Sequence, residues 1–333
     1  MRSRLFASRL FVVVAAAAML AALVAPPGTD AQSAKLIRWP TSSSTAGSGY
    51  IYASTVASLA NKHAREFGAP VDISVTTSAG VFENERLMKQ GQAQIILHSS
   101  DEIWNSYKGL GKFDGKANQN LRIMFRAYPS YLNVIASQSS GVKRIEDLKG
   151  KRLAAGPPGS VAYTMGEAVL KMYGLTYKDM NTRALGLGEQ VSALKDGVVD
   201  AIMIIQGIGV PPLKDLANAS KVRWLSVEDA TWKELAASIP PGYYSLGVLK
   251  KGTYNAQDAD VNMVGISVIW ATTTELDDAV VYAIVKSFFT HKADADKVHP
   301  IIRETTSQFA ALDLPIPLHA GAARYFKEAG ILK

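Results

Sequence analysis

Residues 152–173 read RLAAGPPGSVAYTMGEAVLKMY and combine three local patterns without interruption. Residues 152–155 predict a short strand, residues 156–160 form a loop of glycine, proline and serine, and the segment that ends at Tyr173 predicts a helix. A strand that leads through a small-residue loop into a helix is the repeating unit of α/β proteins. This unit therefore predicts an α/β fold.

The same alternation of short apolar runs and amphipathic segments extends in both directions along the chain. Strands are predicted at residues 35–39, 71–77, 94–97, 121–128, 132–137, 199–205, 222–227 and 261–270. Helices are predicted at residues 48–66, 83–90, 101–107 (capped by Ser100), 228–238 and 275–290. Regular alternation of this kind predicts a parallel sheet.

Length and composition set the class of protein. The chain has 333 residues, which suggests two domains at about 150 residues each. It has no cysteine, which excludes a disulfide framework, a thiolate metal site and a cysteine nucleophile. Its hydrophobic share is 48% and its formal net charge is +7. These values are typical of a globular protein with a basic surface.

The first 31 residues have the layout of an export signal. Arg2, Arg4 and Arg9 precede an uncharged apolar run at residues 10–24, and Pro26 and Pro27 follow it. That run is shorter than the about 20 residues that span a bilayer, which favours a signal peptide cleaved near Ala31 over a membrane anchor. We therefore expect a periplasmic protein that does not bind nucleic acid.

The chain lacks the usual catalytic motifs. None of the five histidines stands in an H-E-x-x-H motif, and there is no G-x-S-x-G or P-loop. Residues 207–209, GIG, are too short to predict a dinucleotide site. The group at His291, Asp294, Asp296 and His299 favours a solvated helix end over a metal site. We expect no catalytic residue, no metal and no cofactor.

Four small-residue loops stand between a predicted strand and a predicted helix. They are residues 42–49, 78–80, 99–100 and 156–160. A helix N-terminus offers up to four unpaired N–H groups and about half a positive charge. In open α/β sheets such loops line one crevice at the carboxyl ends of the strands. The loops either cap their helices only or form a cleft for a small anion such as a carboxylate.

These loops resemble motifs of the TAXI-type solute receptors of TRAP (tripartite ATP-independent periplasmic) transporters. The resemblance covers nearly all of the chain after the export signal, from about Lys35 to Lys333. It is carried by residues 45–53 (TAGSGYIYA), 78–84 (SAGVFEN), 99–101 with 106–109, 145–152 (IEDLKGKR), 156–160, 193–197 with 200–201, and 314–319 (LPIPLH). No single motif is decisive, but their order and spacing are specific.

The resemblance implies a two-lobe type II periplasmic-binding-protein fold, with the ligand held in a cleft between lobes that crossing strands join. Lobe 1 would comprise residues 33–127 and 258–333, and lobe 2 residues 128–257. Such a receptor binds a small organic acid and delivers it to an ion-gradient-driven TRAP permease in the membrane. We expect it to act as a monomer and not as an enzyme.

The resemblance also implies which residues face the ligand. The matching positions are Ser48, Tyr52, Ser78, Gly80, Ser100 and Ser160. Tyr163 and Gln206 depart from the family pattern and should change the size and hydrogen bonding of the pocket, so the ligand of the family's known members is not assigned here. Two other functions stay open: a receptor of an ATP-driven importer for a sulfonate or a cyclic precursor, and an exported hydrolase.

Overall fold

The computed structural model describes residues 33–41, 45, 47–158, 160–238, 240, 242–255 and 257–333. The predicted signal peptide, residues 1–31, lies outside the described residues. Within the ranges just given, no helix combines the length and the apolar character that crossing a membrane requires.

Ten strands and eleven α-helices are named here from the described residues. The strands are β1 (Lys35–Pro40), β2 (Val71–Thr76), β3 (Ile96–Ser99), β4 (Leu121–Ser137), β5 (Arg152–Ala155), β6 (Asn181–Ala184), β7 (Ala201–Gln206), β8 (Val222–Trp224), β9 (Ser245–Leu249) and β10 (Val261–Thr273). The helices are α1 (Ser48–His63), α2 (Val81–Lys89), α3 (Ser100–Lys108), α4 (Val161–Met172), α5 (Leu187–Lys195), α6 (Pro211–Ala219), α7 (Asp229–Ser238), α8 (Asp278–Thr290), α9 (Lys292–Val298), α10 (Ser307–Ala311) and α11 (Ala320–Glu328). All six predicted helices and all predicted strands overlap observed elements.

The sheet is mixed, so the predicted all-parallel sheet is wrong. Its order is β3-β10-β4-β7-β5-β6, with β8 beside β4 and β9 beside β10. Strand β4 runs antiparallel to both β10 and β7, whereas β5 runs parallel to β6 and β7. Strands β1 and β2 form a parallel pair. The N–H groups of Gln94 and Ile95 donate to the carbonyl of Arg38, which brings the segment before β3 beside β1.

The strands predicted at residues 121–128 and 132–137 are one strand of 17 residues, β4. Its first part pairs with β10 from Leu121 to Tyr131, and its second part pairs with β7 from Tyr131 to Ala136. Strand β10 changes partner at Gly265, which faces Tyr131 and also ends the pairing with β9. A Cβ at Gly265 would overlap the carbonyl oxygen of Ser130, so the two strands approach closely only because this residue is glycine.

The core around β1, β4, β10, α1 and α8 is rich in aromatic side chains. Trp39 packs edge-on against Trp270 with 4.9 Å between ring centroids, and Phe125 stacks on Phe288 at 5.3 Å. Tyr52 lies between them, 5.5 Å from Trp270 and 5.6 Å from Phe288. This packing fixes α1 against the two long strands, because aromatic pairs add to the apolar area that they bury.

Strand β2 has one neighbour in the sheet, and a side chain covers part of its other edge. The carboxamide of Asn61 accepts a hydrogen bond from the N–H of Ile73 at 2.8 Å and donates one to its carbonyl at 3.1 Å. This amide stands in for a neighbouring strand at one residue. Blocking an edge in this way hinders pairing with another chain.

We expect Asn61→Ala to lower the free energy of unfolding by about 1–2 kcal/mol, because each of the two hydrogen bonds contributes about 1 kcal/mol. Urea denaturation measures this loss. Ser58→Ala, one turn earlier on the exposed side of α1, is the control and should leave stability unchanged. Equal stability of the two variants would contradict the role assigned to Asn61.

Candidate ligand-binding cavity

A cavity of about 590 Å3 lies beside strands β4, β7 and β10. Its volume lies in the range of small-molecule sites, about 300–1,000 Å3. The described lining residues are Thr41, Gly47, Ser48, Gly49, Ala79, Gly80, Val81, Phe82, Glu83, Leu97, His98, Ser99, Tyr128, Ser130, Pro157, Pro158, Ser160, Val161, Ile205, Gln206, Gly207, Ile266 and Val268.

Four helix N-termini meet at this cavity. The N-cap residues of α1, α2, α3 and α4 are Gly47, Gly80, Ser99 and Ser160, and all four line the wall. At α1, α2 and α3 no side chain of the N-cap residue accepts a hydrogen bond from the first turn. The first N–H groups of a helix lack partners within the helix and carry its positive dipole end. The cavity wall therefore offers neutral hydrogen-bond donors and the positive dipole ends of four helices, with Glu83, Asp101 and Glu102 in the first turns of α2 and α3.

The loop before α4 holds its serine in a defined position. The hydroxyl of Ser160 accepts a hydrogen bond from the N–H of Tyr163 at 3.2 Å and so caps the helix. Gly156 lies directly beneath it, and a Cβ at Gly156 would overlap the Ser160 hydroxyl. The glycine is thus required by the close approach of this hydroxyl.

We expect Gly156→Ala to displace the Ser160 side chain and to cost about 1 kcal/mol of stability, the usual value of an N-cap. A double-mutant cycle with Ser160→Ala tests the cause, since residues in contact give non-additive effects. The loss from Gly156→Ala should be smaller when residue 160 is already alanine. Strictly additive losses would contradict the contact.

Few ionisable side chains line the cavity. Among the described lining residues there is no lysine or arginine, and Glu83 is the one carboxylate. Glu83 accepts a hydrogen bond from the N–H of Ala79 at 2.6 Å and lies 3.4 Å from the guanidinium of Arg86. Its charge is therefore already neutralised in part by groups of its own helix and loop.

A buried polar cluster supports the cavity floor. The Nδ1 atom of His98 accepts a hydrogen bond from the N–H of Ser99, so the ring carries its proton on Nε2, which lies 3.4 Å from Glu85. Glu85 also accepts hydrogen bonds from Ser106 at 2.6 Å and pairs with Lys89 at 2.7 Å. Both ring nitrogens of His98 are thus engaged within the protein.

The carboxyl groups of this floor have opposite pKa shifts. Burial raises the pKa of Glu85, but hydrogen bonds from His98, Lys89 and Ser106 outweigh it and hold the pKa at about 2. Burial raises the pKa of Asp101, and it raises the pKa of Glu102 with help from the nearby Asp101.

Glu85→Gln should destabilise the protein at neutral pH, because the fold favours the ionised carboxylate. The folded pKa is about 2 and the ordinary value is 4.5, so this stabilisation is present above pH 4.5 and disappears as the pH falls toward 2. The difference in unfolding free energy between wild type and variant should therefore narrow over that window. Urea titrations at pH 7, 5, 4 and 3 measure it, with the exposed Glu275→Gln as control. A constant difference would exclude this assignment.

Four of the eight predicted site residues line the cavity: Ser48, Gly80, Ser160 and Gln206. Ser48 is the first residue of α1, and Gln206 is the last of β7. Gln206 is far in the chain from the N-termini of α1, α2 and α3 but lines the same cavity. For these four residues, contact with a ligand stays a prediction.

The other four predicted residues are not among the lining residues. Tyr52 is fully buried, and its hydroxyl bonds to that of Thr305 at 2.6 Å. Ser78 donates to the carboxamide of Asn84 at 2.5 Å. Tyr163 stacks on Tyr177 with 4.4 Å between ring centroids.

Ser100 joins α3 to β10 and to the segment that precedes β9. Its hydroxyl accepts a hydrogen bond from the N–H of Ser267 at 2.9 Å and donates to the carbonyl of Tyr243 at 2.7 Å. The predicted role of Ser100 as helix cap is wrong, because α3 begins at Ser100 and Ser99 is its N-cap. The hydroxyl instead serves the long strand β10.

The long strands contribute lining residues that the sequence analysis missed. Tyr128 and Ser130 come from β4, and Ile266 and Val268 from β10. The signal was present: the sequence YPSY at residues 128–131 falls between the two strands predicted there. Polar side chains inside an otherwise apolar strand indicate a position that faces a cavity.

The group at the end of α8 is an ordinary helix junction in the described structure. His291 stacks on His63 with 3.7 Å between ring centroids, and Asp294 pairs with Lys297 at 2.8 Å. No cluster of three or more histidine or acidic side chains suited to a metal ion occurs in the part of the chain that the structure describes.

The fold is that of two-lobe type II periplasmic binding proteins. The periplasmic sulfonate-binding protein of a sulfonate ABC transporter from Methylobacillus flagellatus KT is similar, with a TM-score of 0.51 and 16% identity over 90% of this chain and 88% of that chain. The binding component of an ABC phosphonate transporter from Pseudomonas aeruginosa gives 0.51 and 11% over 81% and 79%. A further structure, of a periplasmic transporter, has a TM-score of 0.52 and 14% identity over 90% of this chain and 94% of that chain.

The sequence identifies the family within this fold class. A family model described as the NMT1-like family matches residues 41–330. The match spans all of the helix N-termini and both long strands that build the cavity. The chain therefore belongs to the NMT1-like family.

Proposed function

We propose that this protein is an exported solute receptor that binds a small organic anion in the cavity described above. Lobe 1 would comprise residues 33–127 and 258–333, and lobe 2 residues 128–257, so that α1, α2 and α3 contribute from one lobe and α4 from the other. The convergence of four helix N-termini on one cavity carries the proposal. Backbone N–H groups at such termini are suited to an acid group.

A carboxylate is the acid that we favour, with delivery to a TRAP-type membrane permease. The ordered motifs of the TAXI-type receptors support this choice, and the export signal at residues 1–31 is in keeping with it. Closure of the two lobes over the ligand would exclude water, which strengthens each hydrogen bond. Ser48, Gly80, Ser160 and Gln206 would then contact the ligand from both sides.

A sulfonate or phosphonate delivered to an ATP-driven importer is the second candidate. Two of the similar structures, at a TM-score of 0.51 each, are binding proteins of ABC transporters for a sulfonate and for a phosphonate. Helix N-termini bind these oxyanions by the same N–H groups. A gene for a fused multi-span permease beside this one would favour the first candidate, and a gene for an ATPase the second.

The lining residues favour binding over hydrolysis. His98 is the one imidazole among the described lining residues, and its two ring nitrogens face Ser99 and Glu85. It is therefore poorly placed to take a proton from a hydroxyl or a water in the cavity, which a general base must do.

The thermal unfolding of residues 32–333 against a panel of anions tests the proposal. The panel contains glutamate, 2-oxoglutarate, succinate, benzoate, taurine and methylphosphonate, with glucose and spermidine as neutral and cationic controls. An acid at about 1,000 times its dissociation constant adds about 4 kcal/mol, which raises the midpoint by several degrees. A shift by an acid supports the receptor. A shift by glucose or spermidine alone would overturn the anion site, and hydrolysis of an ester substrate would favour the exported hydrolase.

We expect Ser48→Ala to weaken the anion found by this panel about tenfold, because its hydroxyl lies at the N-terminus of α1 in the cavity wall. Isothermal titration calorimetry measures the affinity. Ser58→Ala, on the exposed side of the same helix, should bind like wild type. Equal affinity of all three proteins would exclude Ser48 from the site.

A further inference from the structure

The described lining of the cavity has no cationic side chain that could pair with a second acid group of a ligand. No lysine or arginine occurs among its described lining residues. The undescribed positions next to them in the chain, residues 42–44, 46 and 159, are serine, alanine and glycine. Two cations contact lining side chains from outside: Lys112 lies 4.2 Å from the ring centroid of Phe82, and Arg86 pairs with Glu83. Helix N-termini and neutral donors are thus the groups left to bind an anion.

Apolar side chains make up much of the remaining wall. They are Val81, Phe82, Leu97, Val161, Ile205, Ile266 and Val268, with Pro157 and Pro158. A second carboxylate placed against these groups would lose its hydration without gaining a partner, which is costly for a charge. An apolar body gains free energy from the same contact, about 25 cal/mol for each Å2 removed from water.

Strand β4 contributes one neutral hydrogen-bond donor, Tyr128. Tyr128 is 4% exposed and lines the cavity, and its ring packs 5.6 Å from that of Tyr52. Its hydroxyl makes no hydrogen bond to any residue that the structure describes, and it is not among the fully enclosed polar atoms that lack a partner, so it is accessible from the cavity. Burial raises the pKa of this phenol far above its usual range, so the group keeps its proton. A protonated phenol donates to an anion without adding charge.

We propose, on the basis of the anion-binding function above, that the cavity selects organic acids with one negative charge and an apolar body, and that Tyr128 donates a hydrogen bond to the acid group. Tyr128 lies on β4, three residues before Tyr131, where the partner of this strand changes from β10 to β7. Its hydroxyl therefore reaches the ligand from β4, in the cavity that the four helix N-termini also line. A bond from a neutral donor to an ionised acid is stronger than one between neutral groups.

Three probes with six carbons separate the alternatives: hexanoate, adipate and hexane-1-sulfonate. Calorimetry on residues 32–333 should show that hexanoate or hexane-1-sulfonate binds at least tenfold more tightly than adipate, which adds only a second carboxylate. The stronger of the two monoanions tells whether the acid group is a carboxylate or a sulfonate. Tighter binding of adipate, or of 2-oxoglutarate or succinate in the panel above, would overturn the selection for one charge and leave the receptor function standing.

Tyr128→Phe should weaken the tighter of the two monoanions about tenfold and leave the unfolding midpoint of the empty protein close to that of wild type, because it removes only an unpaired hydroxyl. Tyr131→Phe is the matched control: it lies on the same strand, is 8% exposed and is not a lining residue. Unchanged affinity in Tyr128→Phe, or an equal loss in Tyr131→Phe, would overturn the role of Tyr128. If no anion of either set binds, the proposed function itself fails.

Discussion

The antiparallel pairing of β4 with β10 is the constraint on which the rest of the structure depends. Each of these strands changes its partner at the same place, where Gly265 faces Tyr131. The close contact of their backbones permits no side chain at Gly265. The N-termini of α1, α2, α3 and α4 lie at the cavity beside these strands, and Tyr128 and Ser130 of β4 line it.

In the proposed site, an anion would be bound by helix dipoles and hydrogen bonds more than by charged side chains. The N-termini of four helices supply N–H groups whose positions are set by the packing of whole helices, so that few groups must reorganise when an anion enters. Beneath them, Glu85 and His98 satisfy each other's polar atoms and keep the floor rigid. The polar cluster thereby supports the site, and His98 is its one member that lines the cavity.

The sequence predicted the α/β class, six of the eleven α-helices and the small-residue loops, because these follow from local periodicity and from the preference of glycine and serine for helix starts. Its prediction of a parallel sheet is wrong for β4, which runs antiparallel to β10 and β7 although it is buried along most of its length, as parallel strands usually are. The two strands predicted at residues 121–128 and 132–137 are one strand, in which Pro129 pairs with Ser267. Helix α6 was not predicted, although Pro211 and Pro212 at its start are a recognised sign of a helix N-terminus.

The candidate site divides in the same way. The sequence by itself determined that serine or glycine stands at the start of four helices, at residues 48, 80, 99 and 160, since those choices depend on neighbours along the chain. Only the tertiary structure decided that these four places meet, that Tyr52 and Ser100 turn to other partners, and that Tyr128 reaches the cavity. These outcomes depend on contacts between residues far apart in the chain, such as the 253 positions between Tyr52 and Thr305, and local pattern carries no record of them.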